Sequence, residues 1–304
     1  MRLLVFNITQ NMKQFSILLF TFFCLSTLAQ TPTELFERAQ ELAQEDKLQE
    51  SLQAFEEAFK SEEIQAHQYF NAACIAAKAD DDEKTFQWLD QAANKGWKNL
   101  DFSKIKEELR PLHKKPEWDS FITKVEANLA YYEKDFDKPL KEKLEAIYYQ
   151  DQVLRQLYAD AEKKFGRESR YMKEFWALMG REDQRLLQEV LAIIDEHGWV
   201  GQSKVGGQAN AAIFMVIQHA DLSTQESYLP MMKASVIEGE SSAKNLAMLT
   251  DRVQVRQGKP QTYGTQFKRN ESNERVLYDI IDPENLNKRR AEIGLPPIEG
   301  KFNP

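Results

Sequence analysis

Slid by 34 residues against itself, the segment 32–99 falls into register. Ala39 lands on Ala73, Leu42 on Ala76, Ser51 on Thr85, Phe55 on Leu89 and Ala58 on Ala92. A fixed period of that length marks a stacked supersecondary unit, in which each copy buries against its neighbour the apolar face it cannot bury alone. Within the copies, Leu35, Ala39, Leu42 and Ala43 recur at three- and four-residue spacings, as do Leu48, Leu52, Phe55 and Phe59. That is the helical period, so the stretch reads as helical hairpins and the fold class as mainly α.

The period, with small residues at the eighth, twentieth and twenty-seventh positions, resembles the tetratricopeptide repeat family over residues 32–99. The large aromatic that the family carries at its fourth position is missing from the first copy. Gly96-Trp97, Pro111-Leu112 and Pro116-Glu117-Trp118 are similar to the tail that closes many short bacterial repeat arrays. That likeness implies a helix from near Phe102, a turn and a last helix over 117–132. It also implies local packing or weak binding of a protein partner, because two repeats and a cap are too short for a deep concave groove.

The first thirty residues suggest export. Arg2 and Lys13 precede an uncharged apolar run, Phe15 to Leu28, and Thr27-Leu28-Ala29 supplies small residues at −3 and −1 of a cleavage point before Gln30. This is the layout of a secretory signal peptide, and the run is short for a membrane span. The expectation is a signal peptide over 1–29, a periplasmic or extracellular mature chain, and no transmembrane segment in it. Cleavage would leave 38 basic against 48 acidic residues, a balance that repels nucleic acid and anionic lipid and disfavours both as partners. Only Cys74 would survive, so packing rather than an intramolecular disulfide must supply stability.

The charged, proline-ended junction Asp135 to Pro139 suggests a boundary between a repeat region, 30–134, and a mostly helical domain, 135–304. Helices are expected at about 139–164, 168–179 and 181–197, the last showing one apolar face of Leu186, Leu187, Val190, Leu191 and Ile194 before Gly198. The near-continuous apolar run 206–220 should be the core helix of the domain. Two more helices follow at about 223–238 and 241–257. Beyond Pro260, residues 261–268 and 275–281 lean towards β structure, which predicts a small hairpin or loop within 261–281. Pro283 opens a final short helix stopped by Gly294.

Chemistry-bearing side chains concentrate between 199 and 267. Trp199, Gly201, Gly206 and Gly207 form a glycine-rich lead-in, with Gln208 beside it as a ligand-binding candidate. His219 ends the core helix, Asp251-Arg252 sits late in the helix over 241–257, and Gln261 to Gln266 is a polar stretch hinged at Gly264. An imidazole titrates near neutral pH, so His219 suits acid–base work, and it suits capping the carbonyls of its own helix equally well. Asp251 and Arg252 diverge by roughly 100° on their helix, so each seeks a partner elsewhere. Asp251 orienting His219, with Arg252 holding an anionic group, is one arrangement. A buried bridge from the helix to the 261–266 loop is the other. Tyr263 and Gln266 are ligand contacts or ties that hold that loop.

Several chemistries are excluded. The glycines match neither a dinucleotide nor a P-loop spacing, and Gly-Lys-Ser/Thr is absent. Neither His-Glu-x-x-His nor Gly-x-Ser-x-Gly occurs, and the histidines at 67, 113, 197 and 219 are dispersed. No cofactor and no metal are expected, although a site built from His219 with carboxylates stays open. The series G-W, G-G-Q-A, Q-H-A-D, L-T-D-R and Q-T-Y-G-T-Q, with the closing D-P-E-N-L-N-K-R-R-A-E-I-G-L-P-P, resembles an uncharacterised bacterial domain family with no assigned activity, over residues 140–300. That resemblance implies domain limits and no reaction. Two functions follow from the residues themselves. The chain is a repeat-mediated interaction protein with a ligand- or partner-binding helical domain, or its second domain is a hydrolase- or transferase-type enzyme using His219, Asp251 and Arg252.

Overall fold

The computed structural model describes residues 31–60, 64–272 and 274–298. The expected signal peptide and its cleavage point therefore lie outside the described residues. The chain divides into two compact units, Met1–Asn128 and Leu129–Pro304. Both are predominantly helical, and among the described residues the strands form one two-stranded sheet. Among the described residues no helix is long and apolar enough to cross a membrane.

In the first unit, α1 (Pro32–Gln44) and α2 (Leu48–Ala58) make one hairpin, and α3 (Ala66–Lys78) and α4 (Asp82–Asn94) make the next. The starts of α1 and α3, and of α2 and α4, differ by the sequence period. The turns repeat too, since Asp46 and Asp80 hold left-handed backbone at φ 62° and 56°. α1 begins at Pro32 because Thr31 and Glu34 form a capping box. Every small or apolar position of the internal register is buried. Ser51 and Thr85 are buried as well, and both donate to backbone carbonyls, of Ala39 and Asp81, at 2.7 Å. Cys74 lies among these alanines, and burial pushes its thiol up to about 12, which leaves a thiol with little thiolate character.

The tail is a short α5 (Leu100–Ile105), a 3-10 segment Glu107–Lys114 and α6 (Pro116–Tyr132), whose first turns close the unit. Trp97 stacks on Phe70 with ring centroids 4.2 Å apart, and Asn128 donates to the carbonyls of Ala93 and Trp97 at 2.7 and 2.9 Å.

The second unit is built on a long antiparallel pair, α7 (Lys138–Phe165) and α8 (Arg170–His197). The sequence suggested a break in α8 near Gly180, and the structure corrects this. Gly180 sits inside one continuous helix with open space around it. A single glycine costs a helix only about 1 kcal/mol, which packing along 28 residues overrides. After the single turn α9 (Gln202–Val205), α10 (Gly207–His219) runs through the core. Its Ala209, Ala212, Ile213, Phe214, Val216 and Ile217 are buried against Leu144, Ile147, Val190, Ile194 and Leu249. α11 (Leu222–Ile237) and α12 (Ala243–Arg256) complete the bundle. The β pairing is shorter than the β-leaning segments suggested. β1 (Phe267–Arg269) and β2 (Arg275–Leu277) pair antiparallel, Phe267 opposite Leu277. A 3-10 turn, Pro283–Asn285, leads into α13 (Leu286–Glu292).

α10 can start where it does because Gly206 adopts φ 85° and ψ 163°, a region essentially closed to other residues. A Cβ there would also meet Phe136 Cε2 at 3.0 Å. Gly206→Ala is therefore expected to destabilise the chain by about 1–3 kcal/mol, measured as a lowered urea midpoint. An unchanged midpoint would show that this turn carries no such constraint.

Candidate functional site

Two arrangements meet at the end of α10. The first is a loop gathered round a carboxylate. Asp251 is fully buried in α12 and accepts from the backbone N–H groups of Thr262, Tyr263 and Thr265 at 2.8–2.9 Å. The Thr265 hydroxyl also donates to it, at 2.9 Å. This leaves no acceptor position on Asp251 for His219. The same loop is held from outside by arginines of α13: Arg289 donates to Thr262 O at 3.0 Å and Arg290 to Tyr263 O at 2.6 Å. Gln261, also buried, donates to the carbonyls of Gln266 and Tyr278 and accepts from the Gln266 N–H.

The second arrangement surrounds His219. Its Nδ1 lies 3.0 Å from Oδ1 of Asp151, a residue of α7 that is 2% exposed. Arg155, one turn further along α7, reaches Asp151 Oδ1 at 3.2 Å and Asp183 Oδ1 of α8 at 2.7 Å. Gln152 donates to the other Asp151 oxygen at 2.6 Å. Burial opposes the charge on Asp151, yet the hydrogen bond and charge of His219, then Arg155 and Gln152, hold its carboxyl below the usual value. No described residue bonds Nε2 of His219, whose side chain is 18% exposed. With Nδ1 fixed by a buried carboxylate and Nε2 open, the imidazole has the orientation that proton transfer requires.

His219 does not cap its own helix. The last carbonyls of α10 are satisfied by other residues, Gln218 O by Arg252 Nη1 at 2.9 Å and Gln225 Nε2 at 2.6 Å, and Ala220 O by Arg256 at 2.8 Å. Cationic donors at a helix C-terminus complement its dipole. Arg252 is half-buried, reaches Gln266 Oε1 at 3.4 Å, and has no carboxylate within ion-pair distance among the described residues. Burial, then the like charges of Arg256 and Arg155, hold its guanidinium below the ordinary arginine value. The side-chain oxygens of Gln218, next to His219, and of Gln225 in α11 are buried with no hydrogen-bond partner among the described residues, a condition that costs about 1–3 kcal/mol per group unless something else relieves it.

The structure thus redistributes the residues singled out above. His219, Arg252 and Gln266 stand at one end of α10. Asp251 is withdrawn into the loop as its organiser, which corrects the expectation that it orients His219. Tyr263 takes part through its backbone N–H and carbonyl. Gln208 is exposed in the first turn of α10, and the buried amide of that helix is Asn210, which donates to Val200 O and Ser241 Oγ. The glycine-rich lead-in borders a cleft of about 460 Å³ lined by Tyr132, Phe136, Gln202, Ser203, Gly239 and Glu240. None of the candidate residues lines it.

Asp151, Arg155 and Asp183 escaped the reading of the sequence, although a signal exists. Leu140, Leu144, Ile147 and Asp151 are the buried positions of α7, spaced at four, three and four residues, so a carboxylate occupies the next place on an apolar stripe. A charge there demands a partner. Asp151, Asp183 and His219 each offer a ligand atom, and these atoms lie within 4.8 Å of one another. Their mix of oxygens and nitrogen suits a divalent transition metal. The Arg155 guanidinium, however, already bridges the two carboxylates and supplies the positive charge a metal would bring.

Residues 138–303 match a family of unknown function (DUF6624). No curated protein and no solved structure matches the chain.

Proposed function

The chain belongs to the DUF6624 family, and on that premise we propose an exported interaction protein whose family domain binds a small molecule at the His219 end of α10. The reading is carried by the polar capacity unmet there among the described residues: an open imidazole Nε2, and a Gln218 oxygen that is buried without a partner. Protein interiors satisfy such groups, and a ligand that does so gains affinity and specificity together. The first unit serves as a tetratricopeptide-like accessory. Its register, its repeated turns and its closing helix support that role, which is to bring the family domain to a protein partner. Export rests on the signal-peptide layout of residues 1–29.

The test is a thermal-shift screen of a metabolite panel on the wild type and on His219→Ala. A bound ligand should raise the wild-type melting temperature, by about 2.7 kcal/mol of linkage at a hundredfold excess over Kd. The substitution should remove that rise while the variant stays folded. A variant that melts much earlier, with no panel compound stabilising either protein, would assign His219 a structural role only.

A second reading, an acid–base enzyme, is favoured by the His219–Asp151 pair. In it His219 Nε2 moves the proton and Asp151, taking the place first given to Asp251, fixes the ring. A hydrolase or transferase of this kind would turn over the compound found in the screen, and Asp151→Asn would lower kcat more than it weakens binding.

A further inference from the structure

Arg252 uses two of the five N–H donors of a guanidinium, one on a backbone carbonyl and one on Gln266 Oε1 at a long 3.4 Å. Its charge is half-buried and unopposed. The ion pairs of the described residues include Arg155 with Asp151 and Asp183, and Arg289 with Asp282, and none that involves Arg252. Asp251, its neighbour in sequence, points away into the loop and is spent on five N–H and O–H contacts. The like charges of two further guanidiniums, Arg256 and Arg155, act on it as well. Partial neutralisation comes from the C-terminal carbonyls of α10, worth only a fraction of a unit charge.

Desolvated charges are ordinarily paired, and an unpaired guanidinium held among like charges stores an affinity for an anion. We propose that Arg252 is the anion-binding residue of this site, and that its ligand carries an oxyanion, carboxylate or phosphate, which docks on the free Nη edge. The inference rests on the small-molecule reading given above and narrows it to a chemical class. Nη2 offers two parallel donors with the remaining Nη1 hydrogen, a spacing that both oxyanions match. The ligand body would then extend towards His219 Nε2 and the side-chain oxygen of Gln218, which belong to adjacent residues of α10.

The probes are sodium phosphate and sodium acetate, titrated calorimetrically into the full chain against sodium chloride at matched ionic strength. We expect saturable binding of at least one of them. Arg252→Gln removes the charge and the Nη donors while keeping a neutral amide at the position of Nε, and it should weaken that binding on the order of tenfold or more. Because the substitution could disturb the α10 terminus, a second measurement uses unaltered protein. Phenylglyoxal modification of Arg252, followed by peptide mass spectrometry, should be slowed by the bound anion, while the exposed Arg181 is modified at an unchanged rate. Preference for phosphate or for acetate names the source class.

Absence of saturable binding, or no protection of Arg252, overturns the proposal. So does a folded Arg252→Gln protein that binds the anion as well as the wild type. A panel ligand that needs His219 but ignores both anions and Arg252 would leave the small-molecule reading standing and this one refuted. Anion binding that needs Arg252, with no panel compound whose stabilising effect depends on His219, would do the reverse.

Discussion

Asp251→Ala is expected to lower the melting temperature of the second unit by roughly 6–20 °C, the equivalent of about 3–5 kcal/mol for a unit of this size. The carboxylate is fully buried, and three backbone N–H groups of one loop converge on it with the Thr265 hydroxyl. Removing it strands donors of a partly buried loop around a fully buried position, which costs more than the bonds contribute when made. The graded series sharpens the test. Asp251→Asn retains an acceptor for Thr262 and Tyr263 but turns an NH₂ towards the Thr265 N–H, so a loss of about 2–3 kcal/mol is expected. Thr265→Val deletes only the hydroxyl, and about 1 kcal/mol should go with it. Calorimetric melting of the three variants checks the order. An alanine variant as stable as the wild type would mean that the loop does not depend on this carboxylate. The same experiment bears on the site, because Gln266, which Arg252 contacts, stands at the end of that loop.

Asp151→Asn is the second large effect, at about 2–4 kcal/mol. The substitution removes a buried negative charge that faces His219 and Arg155, and only Arg155 keeps another carboxylate, Asp183. The pH dependence has a definite sign. The folded protein holds the Asp151 carboxyl below its ordinary value, so the carboxylate stabilises the fold above the unfolded value of about 3.9 and loses that contribution as acid protonates it. The gap in urea stability between wild type and Asp151→Asn should hold from about pH 7 to pH 5 and narrow below about pH 4. A gap that widens in acid would contradict the ion-paired state of Asp151.

Much of the fold lay in local pattern. The hairpins of the first unit were legible because one set of small and apolar residues recurs at a fixed spacing, and the structure adds Asp46 and Asp80 in the same backbone conformation. α10 was legible because a helix buried on nearly every side must be apolar nearly all round. Gly180 misled, since helix propensity is a small term beside tertiary packing. The residues after Pro260 leaned towards β structure, and most of the 261–266 stretch is instead wound round Asp251.

The partners of the site residues were a different matter. His219 and Asp151 are separated by 68 positions, and nothing in either neighbourhood specifies the other. Between Asp151 and Asp251, the chemistry of an Asp–His pair makes no choice. The choice is made by which helix packs against α10 at its last turn, and by a loop whose N–H groups claim Asp251 first. By itself the sequence determined the repeat register, the helical class and the residues, His219, Asp251, Arg252 and Gln266, in which polar chemistry gathers. Only the tertiary structure decided that Asp251 is an internal anchor, that Asp151 holds the histidine, and that Arg252 has no counter-ion among the described residues. Hydrogen bonds and charges act over a few ångströms in space, and the spacing of residues along a chain does not encode that distance.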